Sequence, residues 1–249
     1  MNDFFIPENK VDIISEEDYK QANFIIDSLN AFARLTYQSF YVLDLFNKNF
    51  FYVSDNPLFL CGHQPDEIKE MGYRCYMDLV VPKDELKLLL EMNREGFVFF
   101  NKIPVDERLK ISSSLDFHII NGNRKRLINH KLSPTLLARN GNIWLATCIV
   151  SFSHNQKAGN FEIYMEGKPY VWIYSVESHS LEKQDAISLS KRESDILILS
   201  AQGFTASEIA DKLCITESTV NYHKQHLFEK LDVNNMTTAL YKASQNKMI

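Results

Sequence analysis

The spacing of apolar residues alternates along the chain between helical and strand-like stretches. Between residues 15 and 37 apolar residues recur every three or four positions, which predicts an amphipathic helix that begins at Ser15. Residues 40–45 and 50–53 are aromatic and β-branched runs separated by a short polar stretch, a pattern typical of a β-hairpin. The apolar stripe of the helix consists of Tyr19, Ala22, Ile25, Ile26, Leu29, Phe32 and Ala33.

A helical stretch and three further strands follow the hairpin. Residues 58–95 have a broken helical pattern, whereas residues 112–121, 125–138 and 143–152 are predicted strands joined by Asn-Gly turns. Two strands before the helices and three after them predict an antiparallel five-stranded sheet with helices on one face. A last hairpin, over residues 161–174, is predicted to pack on this sheet or on a linker.

The C-terminal part of the chain returns to helical spacing, with four helix starts in succession. Only residues 214–216 separate the second predicted helix from the third, which is the length of the turn in a helix-turn-helix unit. Val220, Leu227 and Leu231 give the third helix one apolar face. The capping residues are Ser190, Thr205, Thr216 and Asn235, and Glu193 and Glu208 complete capping boxes with the first two.

Residues 189–240 closely resemble the LuxR-type helix-turn-helix domain, without a gap. The resemblance implies an all-α domain of four helices that binds double-stranded operator DNA as a dimer, with its third helix in the major groove. The matching residues are Leu189, Ser190, Arg192, Glu193, Gly203, Glu208, Ile209, Ala210, Leu213, Ile215, Thr216, Thr219, Val220, His223, Lys230, Leu231 and Val233.

Under this resemblance the third helix supplies the contacts to base edges. Its apolar face is turned to the core, which leaves Ser218, Asn221, Tyr222 and Gln225 facing outward. Asn and Gln can bind adenine through two hydrogen bonds, and Tyr can donate one or pack on a thymine methyl. Ordinary solvated polar residues are the simpler interpretation where the resemblance is set aside. The predicted phosphate ligands are Thr205, Ser207, Thr219, Lys224 and Lys230, while His223 is either a phosphate ligand or a half-buried hydrogen-bonding histidine.

The charge of this domain favours weak binding by a single copy. Residues 187–249 contain seven Lys or Arg and seven Asp or Glu, so that their net charge is zero. The LuxR pattern usually has a basic residue where this chain has Asn221, and often Arg where it has Met236. Since a neutral domain gains little from counterion release, we expect DNA binding to require a homodimer. A second hypothesis stays open, a protein–protein interaction module whose helix-turn-helix no longer binds DNA.

Residues 38–154 resemble a PAS domain through the order of their elements and a few short motifs. The resemblance implies a domain that senses a small molecule or cofactor, or makes protein contacts, often in a dimer. The fold class is therefore α+β, a PAS-like antiparallel five-stranded sheet with helices followed by the four-helix domain. The predicted division is an N-terminal extension and helix over residues 1–37, the PAS-like sensor over 38–154, a hairpin and linker over 155–186, and the LuxR-type domain over 187–249. The motifs are Asn56, Cys61-Gly62-His63, Asp66-Glu67-Ile68 and Val81-Pro82-Lys83-Asp84.

Two apolar stripes are candidates for the dimer contact. One is the N-terminal helix with Ile25, Ile26, Leu29 and Phe32, which offers the larger apolar area. The other is the fourth C-terminal helix, predicted over Met236–Lys247, with Ala239, Leu240 and Ala243. Either stripe can instead cover its own domain.

Composition and the remaining motifs exclude several classes of protein. The chain is 45% hydrophobic and 24% charged with a net charge of −5, which is ordinary for a globular protein, and the acidic excess lies entirely upstream of residue 187. Unpaired cysteines, no apolar run of membrane length and no signal peptide favour the cytoplasm of a bacterium. Cys75 lacks the flanking residues of flavin-binding PAS domains, and the histidines show no haem or metal spacing. We expect no enzyme activity, no cofactor and no phosphoacceptor domain.

Overall fold

Eight antiparallel strands form one sheet in a computed structural model of the chain, which describes residues 4–246, 248 and 249. The chain divides into two compact units, residues up to 184 and residues from 185 onward. The strands are β1 (Ser39–Asp44), β2 (Asn49–Val53), β3 (Ile111–Asn121), β4 (Arg124–Leu137), β5 (Ile143–Phe152), β6 (Phe161–Met165), β7 (Tyr170–Ser175) and β8 (Ser180–Asp185). In the sheet they lie in the order β2-β1-β5-β4-β3-β6-β7-β8.

The predicted sheet of five strands is too small. Strands β1 to β5 lie side by side and begin and end within about one residue of the predicted bounds. The last hairpin adds to their edge: β6 pairs with the first half of β3, from Ile111 opposite Met165 to Leu115 opposite Phe161. Because β3 would otherwise leave this row of backbone groups unpaired, the hairpin completes its hydrogen bonding and extends the sheet.

Helices cover both faces of the sheet, whereas the sequence pattern predicts one covered face. Alternate residues of β1 point to the two layers, Tyr41 into the larger core and Val42 into the smaller one. The smaller core lies under α1 (Glu16–Leu35), which begins with the capping box formed by Ser15 and Asp18. The larger core is covered by α2 (Pro57–Leu60), α3 (Pro65–Val80) and α4 (Lys83–Asn101).

The stripe predicted as the dimer contact on α1 is mostly used within its own domain. Ile25 and Leu29 are buried against the sheet, so they are not available to a partner. Phe32 of the predicted stripe is exposed instead, and together with Phe24 and Leu35 it forms a second apolar face, with Phe24 64%, Phe32 55% and Leu35 80% accessible. Periodicity alone predicts the helix. It does not predict which of the two apolar faces is buried against the sheet, because that depends on tertiary packing.

The described segment before α1 is anchored to the N-terminal unit by hydrogen bonds. We call residues 4–10 the strap, because hydrogen bonds at Phe4 and Asn9 hold this segment along the N-terminal unit. The Phe4 carbonyl accepts a hydrogen bond from Asn93 Nδ2 at 2.7 Å. The buried Asn9 side chain binds both backbone groups of Ile143, donating to its oxygen at 3.0 Å and accepting from its nitrogen at 2.9 Å. The strap is therefore part of the folded N-terminal unit.

The C-terminal unit contains the four predicted helices. These are α5 (Lys191–Ala201), α6 (Ala206–Leu213), α7 (Glu217–Leu231) and α8 (Met236–Gln245). All four predicted caps are present, and Ser190 and Thr205 form complete capping boxes. Ala239 and Ala243 are fully buried beside Leu227 and Leu231, so that stripe covers its own domain. The predicted end of the last helix, Lys247, lies outside the described residues.

Candidate nucleic-acid interface

The turn between α6 and α7 fixes the direction of the third helix. Cys214 ends α6 in the left-handed region, with a φ of 53°, and the Ile215 N–H donates to the Ala210 carbonyl at 3.0 Å. Thr216 then caps α7 by accepting a hydrogen bond from the Thr219 N–H at 3.2 Å. This three-residue connection is the geometry of a helix-turn-helix unit, as the sequence predicts.

The two faces of α7 have opposite character. Val220, Leu227 and Leu231 are inaccessible to solvent and pack in the core of the unit. The four predicted base-contacting residues, Ser218, Asn221, Tyr222 and Gln225, are all exposed. The helix therefore has one buried apolar face and one exposed face, and the exposed face carries the four predicted residues.

Two of these side chains already have partners within α7. Gln225 Nε2 donates to Glu229 at 3.1 Å, an exposed contact that a stronger ligand can replace. Tyr222 is 66% accessible, and its ring lies edge-on to His223 with 5.6 Å between centroids. His223 itself is half-buried, which leaves both predicted roles for it open.

The predicted phosphate ligands separate into available and engaged groups. Ser207 is exposed in the first turn of α6, and Lys224 is half-buried on α7. Thr205 uses its hydroxyl in the capping box, donating to Glu208 at 2.8 Å. Thr219 Oγ1 lies 2.8 Å from Thr216 Oγ1. Thr205 and Thr219 thus have structural duties at the helix starts.

Lys230 has partners inside the C-terminal unit. Its Nζ donates to Glu193 Oε2 at 2.9 Å and to the Ser188 carbonyl at 3.0 Å, so its charge is committed inside the unit. The partner is a carboxylate with a side chain only 3% accessible. Lys230 therefore fastens α7 to α5, and we do not propose it as a phosphate ligand.

Glu193 also binds His226, a residue that sequence reasoning missed. His226 Nδ1 lies 2.8 Å from Glu193 Oε1, and the Ser190 N–H donates to Glu193 Oε2 at 2.7 Å. Burial opposes ionisation of the carboxyl, but hydrogen bonds from Lys230, Ser190 and His226 outweigh it and lower the pKa of Glu193 from 4.5 to about 2. The sequence does place His226 four residues after Tyr222 and four residues before Lys230. This spacing puts the three side chains on the same side of α7.

A cavity in the N-terminal unit is a second candidate site. It has a volume of about 100 Å³ and lies in the larger core, between the sheet and α4. Phe4 and Phe5 of the strap form part of its wall. None of the described residues that line it carries a charged side chain at neutral pH, because burial lowers the pKa of His130 to about 4. His130 Nε2 lies 2.6 Å from the Tyr41 hydroxyl.

The described part of the chain contains neither a cluster of metal ligands nor a membrane-spanning helix. There, no group of three or more His, Cys, Asp or Glu side chains is placed to hold a metal ion. No helix within the described residues is long and apolar enough to cross a membrane.

Comparison with known proteins places the likeness in the C-terminal unit. Residues 187–243 match the luxR family of bacterial regulatory proteins. The transcriptional regulatory protein LiaR of Bacillus subtilis is 44% identical over 62 residues, which are 25% of this chain and 29% of LiaR. The quorum sensing-dependent regulator RpaR of Rhodopseudomonas palustris is 51% identical over 55 residues, 22% of this chain and 23% of RpaR.

Solved structures that align with most of the chain are only weakly similar to it. The VqmA dimer of Vibrio cholerae is 16% identical and covers 90% of this chain and 88% of its own, with a TM-score of 0.33. A score this low does not establish a common fold for the N-terminal unit. The chain spans less than a third of LiaR and of RpaR, so their activities as whole proteins do not transfer directly. The caps and the amphipathic third helix agree with this match, and residues 187–243 form a helix-turn-helix domain that matches the luxR family of bacterial regulatory proteins.

Proposed function

We propose that this protein is a bacterial transcriptional regulator whose C-terminal unit binds operator DNA under the control of the N-terminal unit. The observation that carries the proposal is α7, a helix with a fully buried apolar face and an exposed polar face whose side chains can bind base edges. The luxR-family match over the same residues supports it. In this arrangement α7 lies in the major groove and α6 crosses the backbone.

Asn221 and Tyr222 are the best candidates for reading base edges. Both are exposed, and Asn221 has the side-chain amide that binds adenine through two hydrogen bonds. Ser218 and Gln225 flank them on the same face at helical spacing. Ser207, Lys224 and the N-terminal turns of α6 and α7 then contact phosphates, which fix the register without reading sequence.

The zero net charge of a single C-terminal unit supports DNA binding by a homodimer. With no net charge over residues 187–249, a single copy gains little from phosphate neutralisation. A second linked copy raises the effective concentration at the neighbouring half-site. The exposed face of α1, formed by Phe24, Phe32 and Leu35, offers an apolar surface for this pairing. Sedimentation should show that Phe24→Ser with Phe32→Ser weakens the dimer, whereas Ile13→Ser, an exposed apolar position outside this face, does not.

The cavity supports a sensor role for the N-terminal unit. Five adjacent strands, with three helices between β2 and β3, agree with the order of elements on which the PAS resemblance rests. The volume of about 100 Å³ approaches that of an engineered apolar cavity, about 150 Å³, that binds benzene. An uncharged molecule of about one ring suits this size and lining. Native mass spectrometry of the purified protein tests whether such a molecule is bound.

Selection from a random pool of DNA duplexes tests the DNA-binding function. The full-length protein should enrich a repeated half-site, and its affinity for the enriched duplex should fall with rising salt. Failure to enrich any sequence would refute the proposal.

The neutral charge favours one alternative, an interaction module that has lost DNA binding. Under that alternative the protein remains folded and binds enriched and scrambled duplexes equally weakly. A gel shift with both duplexes, at two salt concentrations, separates the two functions.

A further inference from the structure

The buried carboxylate of Glu193 joins α5 to α7 through two side chains of α7. Its Oε1 lies 2.8 Å from His226 Nδ1, and its Oε2 accepts from Lys230 Nζ at 2.9 Å. The Glu193 side chain is 3% accessible, whereas the His226 side chain is 51% accessible. His226 therefore has one edge fixed inside the unit and the rest of its ring at the surface.

The exposed part of this ring lies next to Tyr222. The two rings are nearly parallel, with 19° between their planes and 6.3 Å between centroids, which is an offset-stacked arrangement. Tyr222, His226 and Lys230 follow one another at spacings of four residues, so they occupy one line along α7. The line starts at an exposed phenol and ends at a buried ion pair.

From this geometry we infer that His226 is a positioning residue, which transmits the rigid attachment at Glu193 to Tyr222 and thereby sets the sequence preference of α7. The inference rests on the proposed DNA-binding function and deepens it. A phenol on a free helix surface samples several rotamers, and ordering it on DNA costs conformational entropy. A ring already held against His226 loses less conformational entropy on binding. Its contact with a base edge therefore discriminates more strongly between sequences.

The competing explanation is that His226, being half-exposed, touches DNA itself. The two roles make different predictions for a double substitution. If His226 acts through Tyr222, replacing it has no further effect once Tyr222 is absent. If His226 makes its own contact, the two losses multiply.

The test measures affinity of full-length variants for the duplex enriched by the wild-type protein and for a scrambled duplex. The ratio of the two affinities is the sequence preference. Tyr222→Ala should lower this ratio by about 5- to 100-fold, and His226→Ala by about 3- to 10-fold. The double variant should match Tyr222→Ala alone. A double variant whose loss equals the product of the single losses overturns the inference, as does an unchanged ratio in His226→Ala.

Two further variants separate positioning from folding. His226→Asn keeps a donor for Glu193 while removing the ring, so it should remain folded and still lower the ratio. His226→Phe restores a ring beside Tyr222 and should recover part of it. A merely structural role would instead lower both affinities together, in step with the melting temperature. Ser244→Ala, an exposed position on α8 outside this line, serves as the matched control.

The same experiment separates failure of the inference about His226 from failure of the proposed DNA-binding function. Enrichment of a duplex by the wild-type protein, with independent effects at Tyr222 and His226, overturns only the inference about His226. A wild-type protein that enriches no duplex overturns the DNA-binding function and this inference with it.

Discussion

Replacing Glu193 with glutamine should destabilise the C-terminal unit in a way that depends on pH. The folded carboxyl has a pKa of about 2 against an ordinary value of 4.5. A group whose pKa is lower in the folded state adds stability above its unfolded pKa and loses it as pH falls toward the folded value. The stabilisation by Glu193 is therefore complete near pH 7 and disappears between about pH 4.5 and pH 2.

The size of the effect follows from the two pKa values. They differ by about 2.5, and each unit corresponds to about 1.36 kcal/mol, so the ionised carboxylate contributes on the order of 3 kcal/mol. The side chain is almost inaccessible to solvent, so little of this is lost to screening. By about pH 3.5 roughly 1.4 kcal/mol of it should already be gone. Glu193→Gln should lose most of the contribution at pH 7 and little at low pH.

Urea unfolding of the full-length protein can resolve this effect. Both tryptophans, Trp144 and Trp172, lie in the N-terminal unit, so tryptophan fluorescence follows that unit while far-UV circular dichroism follows both. The part of the dichroism change without a fluorescence counterpart reports the C-terminal unit. Asp211→Asn, which removes an exposed carboxylate from α6, is the control. A difference between wild type and Glu193→Gln that stays constant from pH 7 to about pH 3.5 would refute the reasoning.

Four further substitutions have defined outcomes. Asn221→Ala and Tyr222→Ala should each reduce discrimination between operator and scrambled DNA by about 1–3 kcal/mol while leaving the melting temperature unchanged, since both side chains are exposed; gel shifts with both duplexes and a melting curve measure this. Leu227→Ala should destabilise the C-terminal unit by about 2–5 kcal/mol, because the side chain is fully buried, and should leave the tryptophan transition in urea in place. Asn9→Ala should lower the free energy of unfolding of the N-terminal unit by about 1–3 kcal/mol for each unpaired group, and with it the midpoint of that tryptophan transition, since it leaves both backbone groups of Ile143 without their partner. An unchanged midpoint would mean that the strap does not stabilise the N-terminal unit.

Local patterns in the sequence predict most of the helices and strands, but they do not predict which elements pack or pair with one another. The caps of α5 and α6 follow from Ser190 with Glu193 and Thr205 with Glu208, because a capping box needs only residues three apart. The hairpin of β6 and β7 also follows from local composition. Its pairing with β3 does not, because the choice of edge depends on which strand has unpaired backbone groups after the sheet has formed.

The candidate site shows the same division. Helical spacing correctly places Ser218, Asn221, Tyr222 and Gln225 on the exposed face of α7. It cannot reveal that the charge of Lys230 is taken by a carboxylate 37 residues earlier in the chain. The ionic partner of a surface lysine is a tertiary contact, and only the packing of α5 on α7 decides it.

The two edges of the eight-stranded sheet limit how copies of this protein can associate. An open edge offers unpaired N–H and C=O groups to any other strand. Here the β8 edge carries Glu182, Lys183 and Asp185, charges that oppose the approach of a second strand. At the β2 edge, Asn49 Nδ2 donates to the Lys69 carbonyl of α3 at 3.1 Å, which places a helix beside that strand. Because charged side chains at one edge and a helix beside the other disfavour the addition of a second strand, the proposed homodimer would pair through a helical surface and not by extension of the sheet.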